Sequence, residues 1–141
     1  MVVCPLKISA KSEYACLALL ALARPGPDEA PLRIRDISEA HGIPERYLVQ
    51  ILLQLKGAGL VLSTRGAAGG YRLARPARLI SLGEVLKAID GPDAPPRDES
   101  RPAARALTKI WEHVRAAERA VLDQTSIAQL LELASPHDWI I

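Results

Sequence analysis

The sequence predicts a mainly α-helical chain carrying one small β-hairpin. Three observations predict it. Apolar residues recur at helical spacing through most of the chain. Two short strand-like runs, Leu60 to Thr64 and Tyr71 to Ala74, are joined through Arg65-Gly66-Ala67-Ala68-Gly69-Gly70. Near the C-terminus Leu107, Ile110, Val114, Ala117 and Val121 step by 3, 4, 3 and 4, the seam of a helix that packs along a partner helix.

Ser9 caps a first helix that runs through Tyr14, Leu17, Leu19 and Leu20 to Ala23, is apolar on every side, and stops at Pro25-Gly26-Pro27. Such a helix has to be covered all round. Arg33 to Ala40 is a short helix with Ile34, Ile37 and Ala40 on one face, although Arg33 is a poor cap. Gly42 breaks it, and Pro44 sets the first turn of the next. There Tyr47, Leu48, Ile51, Leu52 and Leu55 form an inward stripe that ends at Gly57 and Gly59. The opposite face presents Glu45, Arg46, Val49, Gln50 and Leu53. The loop glycines supply the positive φ of a hairpin. Ser81 and Glu84 make a capping box for a helix whose stripe is Leu82, Val85, Leu86 and Ile89, ending at Gly91. Residues 91–101 have no apolar periodicity and predict a solvated loop. A helix of about 33 Å follows over 102–123, its seam widened by Trp111 and Leu122. A last short helix opens at Thr125 or Ser126 and carries Ile127, Leu130 and Leu131.

The chain has 141 residues, 49% of them hydrophobic and 24% charged, which excludes a disordered or collagen-like polymer and allows a core without disulfides or a structural metal. The dense apolar run from Tyr14 to Ala23 is about half the roughly 20 residues a bilayer span needs, so no membrane association is expected. Cys4 and Cys16 form neither a disulfide framework nor, with His41, His113 and His137, a metal-type spacing, and a reducing cytoplasm is the expected compartment. The histidines are assigned surface roles. Cys16 is read as a small buried hydrophobe, while Cys4, near a terminus, is the candidate redox residue.

The net charge of +2 says little, but its distribution says more. Residues 44–78 hold Arg46, Lys56, Arg65, Arg72, Arg75 and Arg78 against Glu45 alone. Helix, turn, helix and basic hairpin in that order is the winged helix-turn-helix arrangement, in which one helix enters the major groove of a duplex and the hairpin reaches the backbone or minor groove. On it, Arg46 and Gln50 are candidates for paired hydrogen bonds to purine edges, and Val49 for contact with a thymine methyl. Arg65 suits a narrow minor groove. Gly66, Gly69 and Gly70 are expected to bring backbone amides to phosphate, and Lys56, Arg72, Arg75 and Arg78 to set orientation. Taken singly, Arg46 and Gln50 are more often ordinary solvated side chains, and Val49 reads equally as a scattered surface apolar residue.

Lys7-Ile8-Ser9, Glu13-Tyr14-Ala15, Ile37-Ser38-Glu39, Gly42-Ile43-Pro44, Tyr47-Leu48, Gln50-Ile51-Leu52, Ala58-Gly59-Leu60-Val61, Arg65-Gly66, Gly69-Gly70-Tyr71 and Ala88-Ile89-Asp90-Gly91 together resemble the Rrf2 family of winged-helix repressors, the group of IscR, NsrR and CymR. The resemblance implies a homodimeric transcription regulator reading a palindromic operator on double-stranded DNA with helix 44–58 and wing 65–70. It implies a winged helix-turn-helix unit over 1–91, a hinge or sensor loop over 92–101, and a helical dimerisation region over 102–141. In that region Leu107, Ile110, Trp111, Val114, Ala117 and Val121 meet the twin helix, which lies near the partner's first helix and covers it. A small-molecule effector or a protein partner would act through the hinge. Cluster-bearing members of the family hold an iron-sulfur centre with three cysteines in that loop, where this chain has none, so no cofactor or metal is expected.

An enzyme fares poorly: no nucleophile with its base, phosphate-cradling loop or paired carboxylates emerges. The competing function is a winged-helix protein-interaction subunit that does not bind DNA specifically.

Overall fold

The computed structural model describes residues 8–24, 30–91 and 100–134. Its helices are α1 (Ala10–Ala23), α2 (Ile34–His41), α3 (Glu45–Gly57), α4 (Leu82–Asp90), α5 (Pro102–Gln124) and α6 (Ile127–Leu133). Strands β1 (Val61–Thr64) and β2 (Gly70–Leu73) form an antiparallel hairpin between α3 and α4, with Val61 opposite Leu73 and Thr64 opposite Gly70. Ala74 N–H still donates to Leu60 C=O, so the pairing continues one residue beyond the strands, as the sequence pattern anticipates.

α1 is the hub. Ala15, Ala18, Leu19, Leu20 and Ala21 are buried, and α2, α3, α4 and α6 all pack against it. Much of the cover this apolar helix needs comes from its own chain, with Tyr14, Cys16, Leu17 and Leu22 left partly exposed. One side of α1 meets Ile51 and Leu55 of α3, Val85 and Ile89 of α4 and Ile127 of α6, while the other meets Ile37, Ile43, Leu48 and Leu52. Ile127, with Leu130 and Leu131 against it, belongs to the first of these cores. The packing therefore does not divide at the expected boundary after Gly91: α6 is built into the N-terminal unit. Backbone bonds from Leu82 N–H to Thr125 C=O and from Ile127 N–H to Ile80 C=O hold it there.

Local chemistry explains several element ends. Ser9 Oγ accepts from Ser12 N–H at the start of α1. Its own hydroxyl, and that of the fully buried Ser12, donate to the two oxygens of Asp90 at 2.9 and 2.7 Å, tying the start of α1 to the end of α4. Arg33 was a poor candidate cap because its side chain cannot serve as one; instead the Asp36 carboxylate accepts from Arg33 N–H. Ser81 Oγ caps α4 through Glu84 N–H, but Glu84 does not close the expected capping box, because its carboxylate pairs with Arg75 at 2.9 Å. Ser126, not Thr125, caps α6, in a full box with Gln129. Among the described residues no helix is long and apolar enough to cross a membrane.

Candidate nucleic-acid interface

The α2–α3 turn is rigid for identifiable reasons. Gly42 takes φ +66, a left-handed conformation that glycine adopts without strain. Ile43 N–H donates to Ser38 C=O, and Ser38 Oγ donates back to Ile43 C=O at 2.6 Å. With Ile43 fully buried behind the turn, α3 starts at a set angle to α2.

α3 turns Leu48, Ile51, Leu52 and Leu55 into the core and leaves Glu45, Arg46, Val49, Gln50, Leu53 and Lys56 exposed. Tyr47, expected on the inward stripe, is instead half out. Its ring stacks on Tyr14 with centroids 6.4 Å apart, and the Arg46 guanidinium lies over it at 5.1 Å. That contact pre-orders a long flexible side chain at little entropic cost.

The wing stands beside the start of α3. Glu45, Thr64, Gly66, Gly69 and Gly70 line one cleft together with Arg33, Arg35 and Tyr71. Two contacts with the segment before α2, neither visible as a sequence pattern, hold the wing in place. Leu32 pairs with Tyr71 through backbone bonds of 2.9 and 2.7 Å on the edge of β2 away from β1, and the Arg33 guanidinium donates to Ala67 C=O in the loop. Arg65 and Arg72 are exposed on the wing, and Arg72 lies opposite the exposed Leu62.

The glycines do different work from that expected. Gly66 and Gly70 have positive φ, but Gly69 does not. A Cβ at Gly69 would overlap the Thr64 carbonyl oxygen, and its N–H is spent on Gly66 C=O. Gly69 is also buried, so its amide shapes the loop and is not offered to a ligand. Arg75, just past the wing, also serves the fold: its guanidinium donates to Glu84 of α4 and to Leu79 C=O.

This geometry meets its relatives at every level. The family model described as Rrf2, iron-dependent transcriptional regulator, matches residues 8–133. The chain belongs to the Rrf2 family. Rv1287 of Mycobacterium tuberculosis, provisionally named an HTH-type transcriptional regulator, is 41% identical over 139 residues, which is 94% of this chain and 85% of that one. The HTH-type transcriptional regulator CymR of Bacillus subtilis is 35% identical over 127 residues, 89% of each chain. The solved structure of CymR, described as the global cysteine regulator of B. subtilis, superposes with a TM-score of 0.77 at 33% identity, covering 91% of this chain and 98% of its own. T. potens IscR gives 0.76 at 35% identity, covering 93% and 90%. Rrf2 proteins are transcriptional regulators and not enzymes, and this one has the mainly helical winged fold the sequence predicts.

The description of the family as iron-dependent raises the question of whether this chain can hold an iron-sulfur cluster. Such clusters are held by thiolates. Cys16 is half-buried in α1, where burial and then the charge of Glu13 push its thiol up to about 11. It is a protonated packing group at neutral pH. Glu13 is exposed on the first turn, and no group of three His, Cys, Asp or Glu side chains converges among the described residues. The hinge contains no cysteine. The described residues bring together no set of thiolates that could hold a cluster. Cys4 and His137 lie outside the described residues. His113 is exposed, as expected, but His41 is not a simple surface residue: its Nε2 is buried with no hydrogen-bond partner among the described residues, and burial, with Arg24 nearby, lowers its pKa.

The six side chains expected at a dimer contact, Leu107, Ile110, Trp111, Val114, Ala117 and Val121, are all exposed along one side of α5. Leu122 leaves that row and lies half-buried beside Leu86 and Lys87 of α4.

Proposed function

We propose that this Rrf2 regulator is a homodimeric repressor that binds a palindromic operator on double-stranded DNA without an iron-sulfur cluster. In this reading the outward face of α3 enters the major groove. Arg46 and Gln50 make paired hydrogen bonds to purine edges, and Val49 meets thymine. Arg65 at the wing tip inserts into the neighbouring minor groove, with Gly66 letting the loop approach phosphate. Gly69 and Gly70 hold the loop's shape, and Lys56 and Arg72 contact the backbone.

The observation that carries the reading is that Arg46 and Lys56 of α3 and Arg65 and Arg72 of the wing are all exposed, on two elements that line one cleft. The contrast with Arg75, which pairs with Glu84, supports it: these four cations are exposed with no carboxylate against them among the described residues, and Arg46 is held in place over the Tyr47 ring. A second copy is needed because α3 alone covers only one half-site. Twin recognition helices about 34 Å apart require a rigid connection, and the apolar side of α5 supplies one. The signal, a small molecule or a protein partner, would act through the 92–101 hinge that joins α4 to α5.

Binding of the purified protein to its own upstream DNA, measured across a salt series, tests this. Log affinity is expected to fall with log salt at a slope of about −0.9 per phosphate neutralised, and Arg65→Ala and Gln50→Ala to weaken specific binding, the latter by about 1–3 kcal/mol. No preference for any duplex would leave the protein-interaction reading standing in its place. Protein prepared anaerobically is expected to be colourless and iron-free; stoichiometric iron with visible absorption would overturn the cluster-free reading.

A further inference from the structure

The outward face of α3 carries two apolar side chains that the fold does not use. Val49 is 42% and Leu53 59% exposed, and they lie four residues apart, hence on one line along the helix. Both point away from the stripe of Leu48, Ile51, Leu52 and Leu55 that supplies all of the helix's core packing. A helix with an adequate core face gains nothing for folding from leucine and valine in solvent.

What surrounds the pair indicates what covers it. Arg46 and Gln50 flank it and Lys56 lies one turn beyond, while Glu45, in the first turn, is the one carboxylate of α3. The exposed apolar row on α5 makes the contrast. It is longer and wider, includes Trp111, and is bordered by both signs of charge, Lys109 and Arg115 with Glu112 and Glu118. That pattern suits the like surface of a second copy. The α3 pair is narrow and lies among cations, which repel most protein surfaces of the same character but suit a polyanion. The floor of the major groove offers an apolar group of matching size, the C5 methyl of thymine.

We infer that Val49 and Leu53 together form a methyl-reading ridge, so that the half-site is recognised in part by thymine methyl groups and Leu53 is a specificity-determining residue. This rests on the DNA-binding reading above and deepens it. At about 1.5 Å rise per residue the two side chains are about 6 Å apart along α3, the scale of one to two base steps, each of which rises about 3.4 Å and also turns about the axis. The ridge therefore reaches two thymine methyls close together in one half-site. Arg46 and Gln50, on the same face, read hydrogen-bonding edges beside it.

Replacing thymine by uracil removes only the methyl and leaves every hydrogen-bonding group of the base in place. With the footprinted operator as probe, each thymine of a half-site is replaced in turn by dU, and affinity is measured by fluorescence anisotropy at constant salt with the full chain. Loss of one buried methyl corresponds to about fourfold weaker binding, and this is expected at two positions. Leu53→Ala and Val49→Ala should each bind the parent operator several-fold more weakly and lose the thymine-over-uracil preference at one of the two positions. Their salt slopes should match the parent's, since no phosphate contact is removed. Both residues are exposed, so the variants should melt like the parent.

Specific binding that is indifferent to uracil at every position would overturn the ridge while leaving the DNA-binding reading intact. Absence of any operator preference in the parent would instead overturn that reading. Leu53→Ala that keeps parental affinity and uracil sensitivity, but changes the oligomeric state, would assign the residue to a protein contact and sink the inference.

Discussion

At Gly69 there is no space for a side chain, and the obstacle is backbone: the carbonyl of Thr64 and the peptide carbon of Arg65. Gly69→Ala must therefore displace the loop that carries Arg65. The expected outcome is loss of specific DNA binding with a modest fall in melting temperature. Gly57→Ala, whose new Cβ meets nothing within 4 Å, should leave binding unchanged and hold or raise stability. His41 makes a different prediction. Its pKa is lowered from the ordinary 6.5, chiefly by burial, so below that value the unfolded chain takes up a proton that the folded chain resists. The unfolded state then binds more protons, and stability falls as pH drops through and below about 6.5. Melting temperatures at pH 7.5 and 5.5 should differ more in the parent than in His41→Gln. These residue-scale features were invisible in advance. Nothing in the pattern around His41 distinguishes a buried ring nitrogen from a solvated one, because its burial and the nearby charge of Arg24 arise only when the chain is packed.

Among the elements, α1 shows how capping and tertiary contact combine. A serine cap at Ser9 was legible from its position before an apolar run, but the acceptor that uses Ser9 and Ser12 together, Asp90, lies about 80 residues away. Its carboxylate sits favourably at the N-terminal end of α1. Asp90→Ala leaves the fully buried Ser12 hydroxyl without its acceptor, and denaturant melts should report a loss of about 1–3 kcal/mol. Ser9→Ala, which removes the cap but leaves Ser12 bonded, should cost less, about 1 kcal/mol. The hairpin was equally legible in outline, from its strand-like runs and glycines. Its third partner, Leu32, and the Arg33 tether to Ala67 were not, since an isolated bridge leaves no periodicity. Glu84 teaches the same lesson: spacing pointed to a capping box, and a nearby arginine outcompeted the backbone N–H.

For the molecule as a whole, α5 has no buried residue, and five of its large apolar side chains are between 41 and 65% exposed. A helix of 23 residues displaying such a row offers the face that the proposed second copy would cover. On the proposed dimeric reading, Ile110→Glu with Val114→Glu should give a folded monomer in sedimentation and reduce operator affinity at least tenfold, because two half-sites would no longer be held by one particle. Retained far-ultraviolet dichroism would separate this outcome from misfolding, since neither side chain contributes to the core.

What the sequence alone determined is whatever is written locally. Helix periods, the Gly42 break, the glycine-bearing hairpin and the heptad-like row on α5 each depend on neighbours a few residues away, and with the Arg-Gly and Gly-Gly-Tyr motifs they were enough to place the chain in its family. Tertiary structure alone decided which of two chemically equal arginines is displayed and which is braced, that α6 closes the core of the N-terminal unit, and that α1 packs against four helices of its own chain. Those outcomes depend on distances between residues tens of positions apart. A side chain's role is settled by what packs against it, and that is a property of the assembled core.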